Sequence, residues 1–165
     1  MSSEPEAWGP RLAIALRAIR KARGLSAAQV AERMGMDRRN YANFEAGRGR
    51  LNLARVVGFS QVTDSDVWAI LAAVLLDAPQ LALGAADNKM LLAFYILLGE
   101  FVSQFGGRMR LLDTAEVVAT FSGAFKSLES SVAEKETRLS ADWLREGAAR
   151  LGLAAPAGLN EEESS

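Results

Sequence analysis

At 165 residues, half of them hydrophobic, the chain has room for one compact domain or two small ones and enough apolar side chain to bury a core. It contains neither cysteine nor histidine; this excludes disulfides, Cys/His zinc sites and thiol chemistry and removes the commonest general base, so no metal, no cofactor and no enzymatic activity is expected. The net charge of −1 conceals a segregation, with eleven Lys and Arg against five Asp and Glu in residues 1–60, and eight against fifteen in residues 61–165.

A basic first third on an acidic remainder is the footprint of a chain of which one part meets a polyanion, although segregated surface charge alone would look the same. The first residues, Met1 to Glu6, are polar and acidic, without the basic start and apolar run of a signal peptide. The longest apolar run, Met90 to Leu98, is shorter than the ~20 residues that span a bilayer. The expectation is a cytoplasmic protein with no membrane partner.

The periodicity is helical throughout, so the fold class is all-α. After a flexible segment 1–9, Pro10 suits the first position of a helix whose inner face is Leu12, Ala15, Leu16 and Ile19, and Gly24 ends it. Ser26 starts a second helix, with Gln29 three residues on completing a capping box and Leu25 placed to staple against Val30. That helix stops at Gly35. Asp37 caps a third, with Met36 and Tyr41 as its staple pair, and Gly47 ends it. Gly47-Arg48-Gly49-Arg50 reads as a basic loop. Asn52 caps a fourth helix carrying Leu53, Val56, Val57 and Phe59, and Thr63 or Asp64 caps a fifth that runs through Trp68, Leu71 and Leu75 until Pro79. These five helices make a domain over residues 10–78.

A loop around Pro79 to Ala86 is the expected boundary, though it is apolar for a free linker. Two longer helices follow in a second domain, residues 87–153. Leu91, Tyr95, Leu98, Val102 and Phe105 are spaced 4, 3, 4, 3, and Val118, Phe121, Phe125, Leu128 and Val132 are spaced 3, 4, 3, 4, the seam spacing of packed helix pairs. Gly106-Gly107 separates them, which predicts a helical hairpin or bundle. Ser140 caps a last helix with Trp143, Leu144, Ala148 and Leu151. The acidic tail, residues 154–165, is expected to be disordered.

The most informative stretch runs from Leu25 to Gly47. Two short helices joined by a tight turn cross closely only if a small residue sits between them and the turn tolerates positive φ; Ala31 and Gly35 meet those demands. Val30, Met34, Tyr41 and Phe44 supply the apolar inner face. This arrangement resembles the XRE/Cro/CI-like helix-turn-helix family of phage and bacterial repressors over residues 10–76, most tellingly in the Phe44-Glu45-Ala46-Gly47 close.

The resemblance implies a five-helix domain of the lambda-repressor type that binds double-stranded DNA. It implies an ion pair between Arg20 and Glu45 that locks the first helix to the recognition helix. Arg38, Arg39 and Asn40 at the start of that helix, with Asn43 one turn on, are the candidates for reading base edges, arginine toward guanine and asparagine toward adenine. Contact to phosphate without base reading is the alternative for each. Ser26, Arg48, Arg50 and Asn52 are the candidates for holding phosphate. The sequence departs from the family at Ala27, where many members carry a glutamine that touches phosphate; either that contact is missing or Ser26 replaces it.

No family resemblance is found in the second half. Its seams fit either an intramolecular core or a homodimer interface built from Leu91, Tyr95, Leu98, Val102, Phe105, Phe121, Phe125 and Leu128. The functional expectation is a sequence-specific transcriptional regulator at the nucleoid, dimeric on an inverted-repeat operator, a repressor in preference to an activator that would touch RNA polymerase or another regulator. The alternative is an antitoxin-like or anti-factor module whose acidic half binds a protein.

Overall fold

The computed structural model describes residues 8–150. Among these, eight α-helices and one 3-10 segment form the fold, with no strand. The helices are α1 (Trp8–Ala22), α2 (Ala27–Arg33), α3 (Arg38–Glu45), α4 (Leu53–Val62), α5 (Val67–Leu75), α6 (Pro79–Gly84), α7 (Met90–Phe105) and α8 (Thr114–Arg150), with the 3-10 segment Gly106–Leu111 before α8. The chain divides into two units, residues 1–106 and 107–165. Of the segment 1–9 expected to be flexible, residues 1–7 lie outside the described residues, as do Leu151 and the acidic tail, whereas Trp8 and Gly9 already belong to α1.

In the first unit α1 is the central strut, packing against α3, α5 and α6, while α2 packs on α3 and α4. Its inner face is the one the spacing predicts: Leu12, Ala15, Leu16 and Ile19 are all buried. Phe44 of α3 lies between Tyr41 and Phe59, edge to face with both at 6.2 and 6.3 Å between ring centres, a geometry that suits the aromatic quadrupole. The helix begins two residues before Pro10, so the proline occupies its first turn, where no amide hydrogen is needed.

Three local expectations are corrected. Pro79 to Ala86 is not a loop: Pro79 opens α6, and Ala82, Ala85 and Ala86 are buried. Small side chains let this short helix lie against α1 and α5. The cap of α5 is Asp66 rather than Thr63 or Asp64. Thr63 closes α4, its hydroxyl donating to the Phe59 carbonyl at 2.7 Å, and Asp64 takes the left-handed turn at φ 47° that re-aims the chain. Ser140 caps nothing, because α8 runs unbroken through it; the segment holds no proline, and its hydroxyl-bearing residues are carried within the helix.

The helical stretch Met90–Leu111 is longer than the nine-residue apolar run suggests. It runs 22 residues and contains an 18-residue window of mean hydropathy 1.4, so it is long and apolar enough to cross a membrane by length and composition. Its first turn is built into the globular unit. Asp66, fully buried, accepts from the Trp68 and Ala69 amides of α5 through Oδ1 (3.0 and 3.2 Å) and from the Leu91 and Leu92 amides of α7 through Oδ2 (both 2.9 Å). One carboxylate thereby satisfies orphan donors of two helices. Tyr95 stacks on Trp68 with ring centres 4.0 Å apart.

Candidate nucleic-acid interface

The turn between α2 and α3 is set by local chemistry. Ser26 and Gln29 form the reciprocal capping box, Gln29 N donating to Ser26 Oγ (3.2 Å) and Ser26 N to Gln29 Oε1 (2.8 Å). At the far end Gly35 adopts φ 63°, and the Met36 amide donates back to the Ala31 carbonyl at 2.9 Å. Ala31 is buried between the helices. Asp37 then caps α3 through its bond from the Asn40 amide, 2.9 Å.

The helix so aimed has two unlike faces. Tyr41, Phe44 and Glu45 point inward and are buried; Arg38, Arg39, Asn40 and Ala42 are exposed. Neither Arg38 nor Arg39 makes a hydrogen bond or ion pair with another described residue. Both guanidinium groups are therefore available to an external acceptor. The Asn40 side chain is placed differently, since its amide donates to Asp37 Oδ2 and is turned back onto the cap. Asn43 is half-buried and its Oδ1 accepts from Arg48 Nη1 at 3.4 Å, which ties the recognition helix to the loop that follows.

That loop is held by a backbone contact. Gly47 stands at φ 68°, and a Cβ there would lie 1.9 Å from the Gly9 carbonyl oxygen. A Cβ on Gly9 would lie 2.4 Å from the Gly47 oxygen in return. Only two glycines allow the start of α1 and the end of α3 to approach this closely. Arg48 and Arg50 are exposed beyond it, and Asn52 caps α4, its Oδ1 accepting from the Arg55 amide at 3.1 Å.

Behind the helix lies a small polar network. Arg20 Nε and Nη2 donate to the two oxygens of Glu45 at 2.5 and 3.2 Å, and Arg20 Nη1 donates to the Leu25 carbonyl at 3.0 Å. The Tyr41 hydroxyl donates to Glu45 Oε1 at 2.8 Å. The hydrogen bond to Glu45 raises the Arg20 pKa above its ordinary value against the opposing pull of burial. Burial first, and then the bond to Glu45, push the Tyr41 phenol well above the usual tyrosine range. A planar fork on a carboxylate is the geometry that arginine makes best.

Arg38, Arg39 and Asn40 thus share the outer face of one short helix, and Arg20 and Glu45 are joined directly. Of the seam residues, Leu91 and Leu98 are half-buried on α7, and Tyr95 stacks on the N-terminal unit. Val102 and Phe105 on α7, and Phe121, Phe125 and Leu128 on α8, are more than two-fifths exposed. Three contributors escaped the sequence reading. Tyr41 was read only as an apolar anchor; its spacing of four from Glu45 was the signal for the hydroxyl contact. Gly9 falls within the segment expected to be flexible, and Asp66 shares its capping chemistry with the neighbouring Asp64.

Residues 11–75 match a protein family described as a helix-turn-helix domain, consistent with the XRE-like resemblance. No curated protein matches the chain, and no solved structure does. The N-terminal part of this protein is thus a helix-turn-helix domain, a class whose presence implies DNA binding.

Proposed function

We propose that the protein is a sequence-specific regulator of transcription that works in the cytoplasm, on the nucleoid, as a homodimer on an inverted-repeat operator. The observation that carries this reading is the two-faced α3. Its inner face is locked by the Arg20–Glu45–Tyr41 network, and its outer face presents two arginines with no partner among the described residues. A groove-lying helix reads bases with its N-terminal residues, and arginine can donate two bonds to guanine. Arg48, Arg50 and the amide groups at the start of α4 supply phosphate contacts, which position without specifying. Two half-sites about one helical turn apart give a dimer the affinity that one module lacks.

The role is one of binding rather than catalysis, without cofactor or metal. Repression by promoter occlusion is favoured over activation, in which a surface of the DNA-bound protein would touch RNA polymerase. Transcription in vitro from promoters that the protein retains tests this. A fall on adding protein supports repression, and a rise supports activation. No change, together with a tight stoichiometric complex with another protein, supports the second reading, an antitoxin-like module. The apolar exposure of α8 is what favours keeping that second reading.

A further inference from the structure

Helix α8 spans 37 residues, and its side chains from 118 to 140 are all exposed. Val118, Phe125, Leu128, Val132 and Leu139 are 50–68% exposed, and with Phe121 they fall at the first and fourth positions of three successive heptads and the first position of a fourth. Only Lys135 breaks that seam.

This helix has little intrinsic reason to persist in water. Thr120, Ser122, Gly123, Ser127, Ser130 and Ser131 are weak helix formers. The hydroxyls of Ser127, Ser130 and Ser131 donate back to carbonyls one turn earlier, which also disfavours a straight helix. Helices of this kind draw their stability from burying an apolar face.

We infer that the face is covered by α8 of a second copy, in a parallel two-stranded coiled coil over residues 118–139. This deepens the homodimer reading above and rests on it for its role at DNA. The seam is about 33 Å long at 1.5 Å per residue. With six half-exposed apolar side chains on each chain, each contributing on the order of 100 Å², the buried area reaches roughly 1,200 Å², the lower bound for a stable specific interface.

The flanking charges favour the parallel arrangement. Glu129 and Glu136 then flank Ala124 and Ser131 of the second copy, so no like charges meet at the flanking positions, and the two Lys135 side chains face each other in a single layer. An antiparallel pairing centred between Leu128 and Val132 sets Glu129 against its own copy. Lys135 is the one charged layer, a device that costs stability and fixes register and strand number. Both chains then enter the coil from the same end, an arrangement compatible with a two-fold dimer on two half-sites.

The test is sedimentation of the full chain without DNA, alongside Phe125→Asp/Leu128→Asp, Lys135→Leu and Leu139→Cys. The wild type should be a dimer. The double Asp variant should weaken self-association by at least about 100-fold, the scale of losing central interface anchors, while the thermal transition of the N-terminal unit stays in place. Lys135→Leu should tighten the dimer. Because the chain has no cysteine, Leu139→Cys should oxidise to a disulfide-linked dimer only if the strands are parallel. A monomeric wild type, a dimer that survives the double substitution, or a dimer that fails to cross-link through residue 139 overturns the inference. A monomer that still retains specific DNA sinks the pairing but spares the regulator reading; a dimer that retains none does the reverse.

Discussion

Arg20 of α1 and Glu45 of α3 are joined by two hydrogen bonds, 2.5 and 3.2 Å, across 25 residues of chain, with the arginine side chain 16% and the glutamate side chain 9% exposed. A pair this shielded is expensive to break singly, because the surviving charge stays desolvated. Arg20→Ala is expected to lower the stability of the N-terminal unit by about 3–5 kcal/mol. Replacing both partners by Met and Leu should cost clearly less than either single change. Chemical denaturation of the four proteins measures the difference.

The contact between Gly9 and Gly47 gives a second prediction. Gly47→Ala meets both a left-handed φ and the Gly9 carbonyl, so it should destabilise by roughly 1–2 kcal/mol from the backbone and a further 1–3 kcal/mol from overpacking. Gly24→Ala is the control. Its φ is 64° with nothing within 4 Å of the added carbon, so only the backbone contribution should appear. Equal losses at the two sites would show that the close approach does not constrain the fold.

Tyr41 sets the alkaline limit. Its folded pKa is raised, whereas in the unfolded chain the phenol ionises near about 10. The folded form therefore holds the proton more tightly, and the stabilisation is complete below pH ~10. It is lost as the pH rises above that, because the unfolded state releases its proton first. Denaturation between pH 8 and 11 should show stability falling at the upper end, with the slope reduced in Tyr41→Phe.

Asp66 joins α5 to α7 through four accepted bonds. Asp66→Ala leaves all four amides without this acceptor. The loss of the α5 cap alone should cost about 1 kcal/mol, and hydrogen exchange should accelerate at Leu91 and Leu92. Unchanged exchange there would mean that the Trp68–Tyr95 stack suffices to hold the start of α7.

At the DNA, Arg38→Ala and Arg39→Ala should each cost ~1–3 kcal/mol on the cognate site and relax preference at one base position. Arg48→Ala should weaken binding to all sequences alike and lower the salt slope by about one. Competition assays at two salt concentrations separate the two effects.

The helix-turn-helix was legible because each of its parts has a residue-level cause. The Ser26–Gln29 box, Gly35 at positive φ, the Asp37 cap and Gly47 at the close are local signals, and each element they bound is present. The Arg20–Glu45 pair was legible from the family resemblance alone, since 25 residues separate the partners. What the sequence hid was tertiary. Asp64 and Asp66 are equally good caps by type, and only the turn at Asp64 decides between them. Asn40 looks like a base reader by position, but Asp37 three residues earlier draws its amide back. The alanines of 78–86 carry no strong periodic signal, so α6 becomes recognisable only against α1 and α5.

The most direct test is selection from sheared genomic DNA by the purified protein, with the Arg38→Ala/Arg39→Ala double variant in parallel. A short inverted repeat at promoters, retained by the wild type and lost by the variant, is the predicted result. Equal retention of the same fragments by both proteins, or enrichment of none by the wild type, would contradict the assignment of α3 as the element that reads sequence.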